Sequence, residues 1–201
     1  MRHLTLIIPT ALLILGCSTA MTPPIQEYTI YPSVESSAAL TVRSPKTLRI
    51  SSTKTIPSLA SKNLYYLRSK GESGSYLYSR WSDSPAIFIE RSLTAALEEK
   101  KMFTALLTPL STAHADWILE ADLSAFYHRI EQNDKSSGVI DITYRLIDTK
   151  TKLPLASKRF IITVESASAD AAGGVNALTN ATQELTDQLI QWLNIQIQEK
   201  K

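Results

Sequence analysis

The chain has 201 residues, 44% of them hydrophobic, with 21 basic and 19 acidic side chains and one cysteine. The near-neutral balance excludes a nucleic-acid binder built on a basic block, and the single thiol excludes an internal disulfide. The length suits one domain with one core.

Met1, Arg2 and His3 form a short polar start, and residues 4–15 are apolar apart from Thr5, Pro9 and Thr10, which is the layout of a secretory signal. The run is shorter than the roughly 20 apolar residues that span a bilayer, so it addresses the chain for export. It finishes Ile14, Leu15, Gly16, Cys17, which resembles the lipobox of bacterial lipoproteins. That resemblance implies removal of residues 1–16, a diacylglycerol on the Cys17 thiol and a further acyl chain, such as palmitate, on its new amino group. No other cofactor is expected. Two or more acyl chains hold a protein on a membrane stably, whereas one holds it only reversibly. The alternatives are an uncleaved signal anchor or a structural thiol. Ser18, a residue other than Asp, implies sorting to the outer membrane, facing the periplasm. Loss of residues 1–16 removes only Arg2 from the charged residues, leaving 20 basic against 19 acidic, so net charge names no partner.

Residues 17–27 read as a lipidated flexible tether, because the stretch after Cys17 is small, polar and Pro-containing, without a period. Its ten residues 18–27 reach about 35 Å at ~3.5 Å per residue. Residues 28–201 form the expected single domain. YTIY at 28–31 predicts a first strand. Leu40 and Val42, then Leu48 and Ile50, alternate with polar neighbours around Pro45 and predict a strand interrupted there. LYYLR at 64–68 and YLYSR at 76–80 flank KGESGS, whose glycines supply the turn of a hairpin.

Ser84 as cap and Pro85 at the first helical position open a helix in which Ala86, Ile89, Leu93, Ala96 and Leu97 make an apolar stripe. From 117 to 128 the alternation predicts a half-buried strand, with Trp117, Leu119, Ala121, Leu123, Ala125 and Tyr127 facing the core and Glu120, Asp122, Ser124 and His128 facing water. Ile140, Ile142, Tyr144 and Leu146 repeat the pattern, as do Phe160, Ile162 and Val164, giving a three-stranded antiparallel meander. A last helix from about Ala169 carries Val175, Leu178, Leu185, Leu189 and Trp192 on one stripe, with Gly173 and Gly174 placed just before it. The fold class that buries all these faces is α+β: a two-layer sandwich of a mainly antiparallel or mixed sheet with two amphipathic helices on one face.

Four segments carry a resemblance: YTIY near the cysteine, YLYSRWSDSPAIFIERSLTAAL entering the first helix, ADWILEADLSAFYHRI as a strand, and NALTNATQELTDQLIQWL at the end. Together they resemble the ABC-type transport auxiliary lipoproteins, the family that includes the lipoprotein of the paraquat-inducible Pqi system. The likeness covers nearly the whole mature chain, with Arg80-Trp81 and Ile190-Gln191-Trp192-Leu193 as its most specific pieces. It implies a non-catalytic component of a lipid-transport ABC system that contacts the periplasmic conduit formed by an MCE-domain protein. An outer-membrane assembly lipoprotein of the lipopolysaccharide-translocon type is the alternative, and a homo-oligomer is left open.

The sequence offers no enzyme pattern. The histidines are His3, His114 and His128, without zinc-type spacing, and no nucleophile elbow, P-loop or G-x-G-x-x-G run is present. His114 and Asp116 form the one acid/base pair worth weighing, and a polar loop accounts for them. Tyr65, Tyr66, Tyr76 and Tyr78 on the predicted hairpin are the candidate partner-binding residues, because tyrosine joins a large apolar ring to a polar tip. Half of them must face the core. Arg80 and Trp81 are further candidate contacts, with core packing the competing role for the tryptophan.

Overall fold

The computed structural model describes residues 23–31, 43–133 and 135–200. The signal, Cys17, residues 18–22 of the tether and the expected strand positions Leu40 and Val42 lie outside the described residues. In chain order the elements are β1 (Gln26–Tyr28), β2 (Thr47–Ile50), β3 (Lys54–Thr55), a 3₁₀ turn (Pro57–Ala60), β4 (Asn63–Arg68), β5 (Ser73–Trp81), α1 (Pro85–Lys100), β6 (Ala105–Leu107), β7 (Trp117–Ile130), β8 (Ser136–Asp148), β9 (Pro154–Glu165) and α2 (Ala171–Glu199).

All nine strands belong to one mixed sheet organised around β7. One edge of β7 pairs along its whole length with antiparallel β8, and β8 with β9. The other edge is shared by three short strands in succession, all parallel to it: β2 opposite Trp117 to Leu119, β3 opposite Asp122 and Leu123, and β4 opposite His128 to Ile130. Beyond them the sheet forks. At one end β6 extends β2; at the other β5 and then β1 extend β4.

Both helices cover one face, as the α+β reading expects. Trp81 stands edge-on to Phe88 of α1 (5.6 Å) and to Phe126 of β7 (5.8 Å), and Phe160 of β9 stands edge-on to Tyr144 and to Trp192 of α2. Such pairs add about 0.5–1.5 kcal/mol each beyond their buried area. The expected stripes are buried: Ala86, Ile89, Leu93, Ala96 and Leu97 on α1, and Val175, Leu178, Leu185, Leu189 and Trp192 on α2.

Four local expectations need correction. The first strand is Gln26–Tyr28, not 28–31, because β5 ends at Trp81 opposite Tyr28 and leaves no partner for Thr29 onward. Ser84 stands at the N-cap of α1 but its hydroxyl makes no capping bond; Pro85, whose missing N–H needs no partner, starts the helix. Gly173 and Gly174 lie inside the first turn of α2, where a Cβ on Gly174 would come within 2.7 Å of the His128 ring. Finally, a bulge on β7 lies between Leu123, opposite Ile142, and Ala125, opposite Asp141. The extra residue reverses the faces. Phe126, His128 and Ile130 turn inward, and Ala125 and Tyr127 are only half-buried.

Candidate binding surfaces

The hairpin β4–β5 places the candidate residues. Its strands pair Asn63 with Arg80 and then Tyr65 with Ser75, so the four residues from Tyr76 to Ser79 stand across from Leu64 alone. The bulge pushes two large apolar side chains outward, Leu77 at 76% exposure and Tyr78 at 42%. Its neighbours turn inward.

Tyr76 reaches under the hairpin to His128, with its hydroxyl 2.8 Å from Nδ1 and the two rings stacked. Tyr66 meets Tyr76 edge-on at 5.2 Å, lies over Gly74, its cross-strand partner, and carries the Arg68 guanidinium above its ring. Tyr65 is half-buried, its hydroxyl bonded by Ser61 and the Asn63 amide, which together pull its pKa below the usual tyrosine value. Arg80 is exposed and donates from Nε to Oε1 of Glu27, its register partner on β1, at 2.8 Å. Trp81 is 1% exposed and belongs to the core, so it is not available to a partner. Its neighbour on the chain is at the surface only because β5 alternates.

His128 is a functional-looking residue that strand alternation missed. It is fully buried, and Nε2 has no hydrogen-bond partner. Burial holds its pKa below the ordinary value, and the nearby Asp170 carboxylate opposes that shift. Tyr76 is pushed up to about 12 by burial, and Asp170 adds to the effect. Asp170 itself is held low by the Gly173 N–H and the Ser168 hydroxyl, because it caps α2. The run Phe126, His128, Ile130 could have shown the inward turn, had the bulge at Ser124 been visible.

His114 is exposed, and Asp116 accepts the Thr47 N–H at 2.8 Å while its own N–H donates to the Thr47 carbonyl. That residue fastens β2 to the start of β7. Among the described residues, no group of three or more His, Cys, Asp or Glu side chains is placed to hold a metal. No helix among them is long and apolar enough to cross a membrane.

A second surface lies at the other end of the sheet. The exposed side of α1 and the β2–β6 edge enclose a groove of about 440 Å³, with Ile50, Ile87, Leu106 and Leu107 as its floor and Glu90, Arg91 and Glu98 at its rim. Glu90 is half-buried there, and desolvation raises its pKa against a weak bond from the Thr53 N–H. Among the described residues, no strand pairs with the outer side of β6.

A family model described as the ABC-type transport auxiliary lipoprotein component matches residues 28–190. The fold is similar to the crystal structure of a Xanthomonas campestris protein carrying the family label DUF330, with a TM-score of 0.78 and 19% identity, over 87% of this chain and 98% of that one. It is also similar to the crystal structure of an uncharacterised protein, with a TM-score of 0.66 and 12% identity, over 85% and 99% of the two chains. At these identities the likeness concerns the fold. No curated protein matches the sequence.

Proposed function

The chain belongs to the ABC-type transport auxiliary lipoprotein family, and on that footing we propose that it is a non-catalytic, lipid-anchored component of an MCE-associated lipid-transport system. Cys17 carries the diacylglycerol and N-acyl chain. The domain faces the periplasm from the outer membrane and docks on the MCE-domain conduit by protein contact, without turning over a substrate.

The observation that supports this reading is the groove between α1 and β6. It has an apolar centre and a charged rim, the anatomy of a protein interface, and it opens beside the outer edge of β6, which pairs with no described strand and can accept an extended segment. With two acids and one base at the rim, it suits a partner segment with apolar anchors and a basic flank. It also sits far from the tether. β6 extends β2 at the Trp117 end of β7, whereas β1 extends the hairpin at its other end, so the groove and the tether belong to different lobes of the fork. One lobe can therefore lie near the membrane while the other meets the conduit.

Pull-down from detergent-solubilised membranes tests this. The wild type is expected to recover an MCE-domain protein, and Ile87→Lys with Glu98→Lys is expected to cut recovery about tenfold, equivalent to ~1.4 kcal/mol, with an unchanged melting temperature. Equal recovery from this variant removes the groove assignment. Recovery of lipopolysaccharide-assembly proteins instead replaces the transport reading with the assembly one.

A further inference from the structure

The bulge on β5 presents Leu77 and Tyr78 to solvent, and β1 brings Ile25, 53% exposed, to the same place. Gln26 pairs with Ser79 in parallel register, so Ile25 arrives beside Tyr78. We propose that these three side chains form a wedge that inserts into the surface of the bilayer holding the acyl chains. The inference rests on the lipid anchor at Cys17 and goes beyond it, because it gives the domain a fixed orientation on the membrane.

Chain length argues for a lipid surface as the occupant. Seven residues lie between Cys17 and Ile25, and the eight Cα steps reach at most about 28 Å. The patch is therefore confined close to the membrane plane at a high effective concentration. The composition fits the interface too: a leucine and an isoleucine for the acyl boundary, and a tyrosine whose hydroxyl suits the headgroup level. The flanking charges on this lobe are Lys62, Arg68, Lys70 and Arg80 against Glu27 and Glu72, all on exposed residues, with Arg80 paired to Glu27. The basic excess favours anionic headgroups. Three large apolar side chains at adjoining places make a patch, which a single exposed residue such as Leu110 does not.

Tyr78→Trp reports on the wedge, and Leu110→Trp, at a residue 93% exposed on the β6 side, is the control. Both substitutions fall at exposed positions. The full-length acylated protein is reconstituted into phosphatidylcholine and phosphatidylglycerol vesicles, with and without brominated acyl chains. The indole added at position 78 is expected to lose emission about twofold or more in brominated vesicles, while the one at position 110 loses little; Leu77→Trp should repeat the first result. Equal quenching at 78 and 110 in vesicle-bound, acylated protein overturns the wedge and leaves the anchor standing. A Cys17 found by mass without acyl chains overturns both together. Protection of position 78 from aqueous acrylamide only after the transport partner is added gives this surface to a protein instead, and overturns the proposal.

Discussion

The two lobes of the forked sheet pair with the same edge of β7 and differ in what reinforces the pairing. At one end of β7, β2 and β6 are three or four residues long, run parallel to it, and are fastened by the Thr47–Asp116 contacts. At the other end a hairpin with a three-residue excess in β5 leans on β7 through buried aromatic rings and one histidine. Both lobes pair with β7 in parallel over three residues. The lobe of β2 and β6 keeps an open groove, whereas the hairpin lobe adds buried side-chain contacts to its pairing, and the apolar residues it has left over point outward. Backbone pairing constrains sequence less than side-chain packing, so the two lobes should respond differently to substitution.

Trp81→Ala should have the largest effect, because that ring joins α1, β5 and β7 at once. Removing a buried aromatic costs about 3–5 kcal/mol; denaturant unfolding should show a loss in that range, and a loss under about 1 kcal/mol would mean that the hairpin lobe is not integral to the core.

Tyr76→Phe should come next. It leaves both His128 ring nitrogens buried without partners, for about 1–3 kcal/mol. The same pair sets the pH dependence. His128 has a lowered pKa in the folded state, so the unfolded chain takes up the proton first, and stability falls as pH drops below the ordinary histidine value near 6.5. Tyr76 is raised to about 12, so the unfolded chain loses its proton first, and stability falls again from about pH 10 upward. Buried Tyr144 is raised for the same reason, so Tyr76→Phe should shrink the alkaline loss without abolishing it and keep the acid one, as thermal melts across pH would read.

Asp116→Ala should be the mildest, about 1 kcal/mol, since it removes one partly exposed side-chain bond from a lobe that keeps its backbone ladder. Hydrogen exchange at Thr47 should rise while exchange at Tyr66 stays the same. Equal rises at both would mean that the two lobes open as one unit.

What the sequence made legible follows this division. Short-range signals were sufficient for the hairpin, for the Pro85 helix start and for the existence of the meander β7–β9, because each is specified by neighbours or by a period that a bulge shifts but does not erase. The parallel pairings of β2, β3 and β4 with β7 had no local signature. The single extra residue near Ser124 was hidden because Ala125 and Tyr127 are as plausible in a core as Phe126 and Ile130. His128 was therefore assigned to the wet face, and the Tyr76 contact went unseen. The groove could not be read either, since it needs Ile87 on a helix and Leu106 on a strand to be brought together by the tertiary fold. Among the tyrosines, alternation sends half inward, whereas Tyr65, Tyr66 and Tyr76 are part-buried and Tyr78 alone of the four is exposed, because the β5 bulge resets the count after Tyr76.

The shared edge of β7 also orders events in time. Thr47 and Asp116 are 69 residues apart, and Thr55 and Leu123 are 68 apart. A chain that emerges from its N-terminus presents β2, β3 and β4 long before the strand that will receive them, and loop closure over such spans is slow. Of the early segments, only β4 and β5 can pair at once. The hairpin is thus the piece of described sheet that can form before β7 emerges, and residues 47–55, which include Leu48 and Ile50, must wait for the β7 edge with which they will pair. A holding factor that keeps this stretch from pairing with other chains would act on the N-terminal quarter of the sequence, and its work would end when β7 arrives.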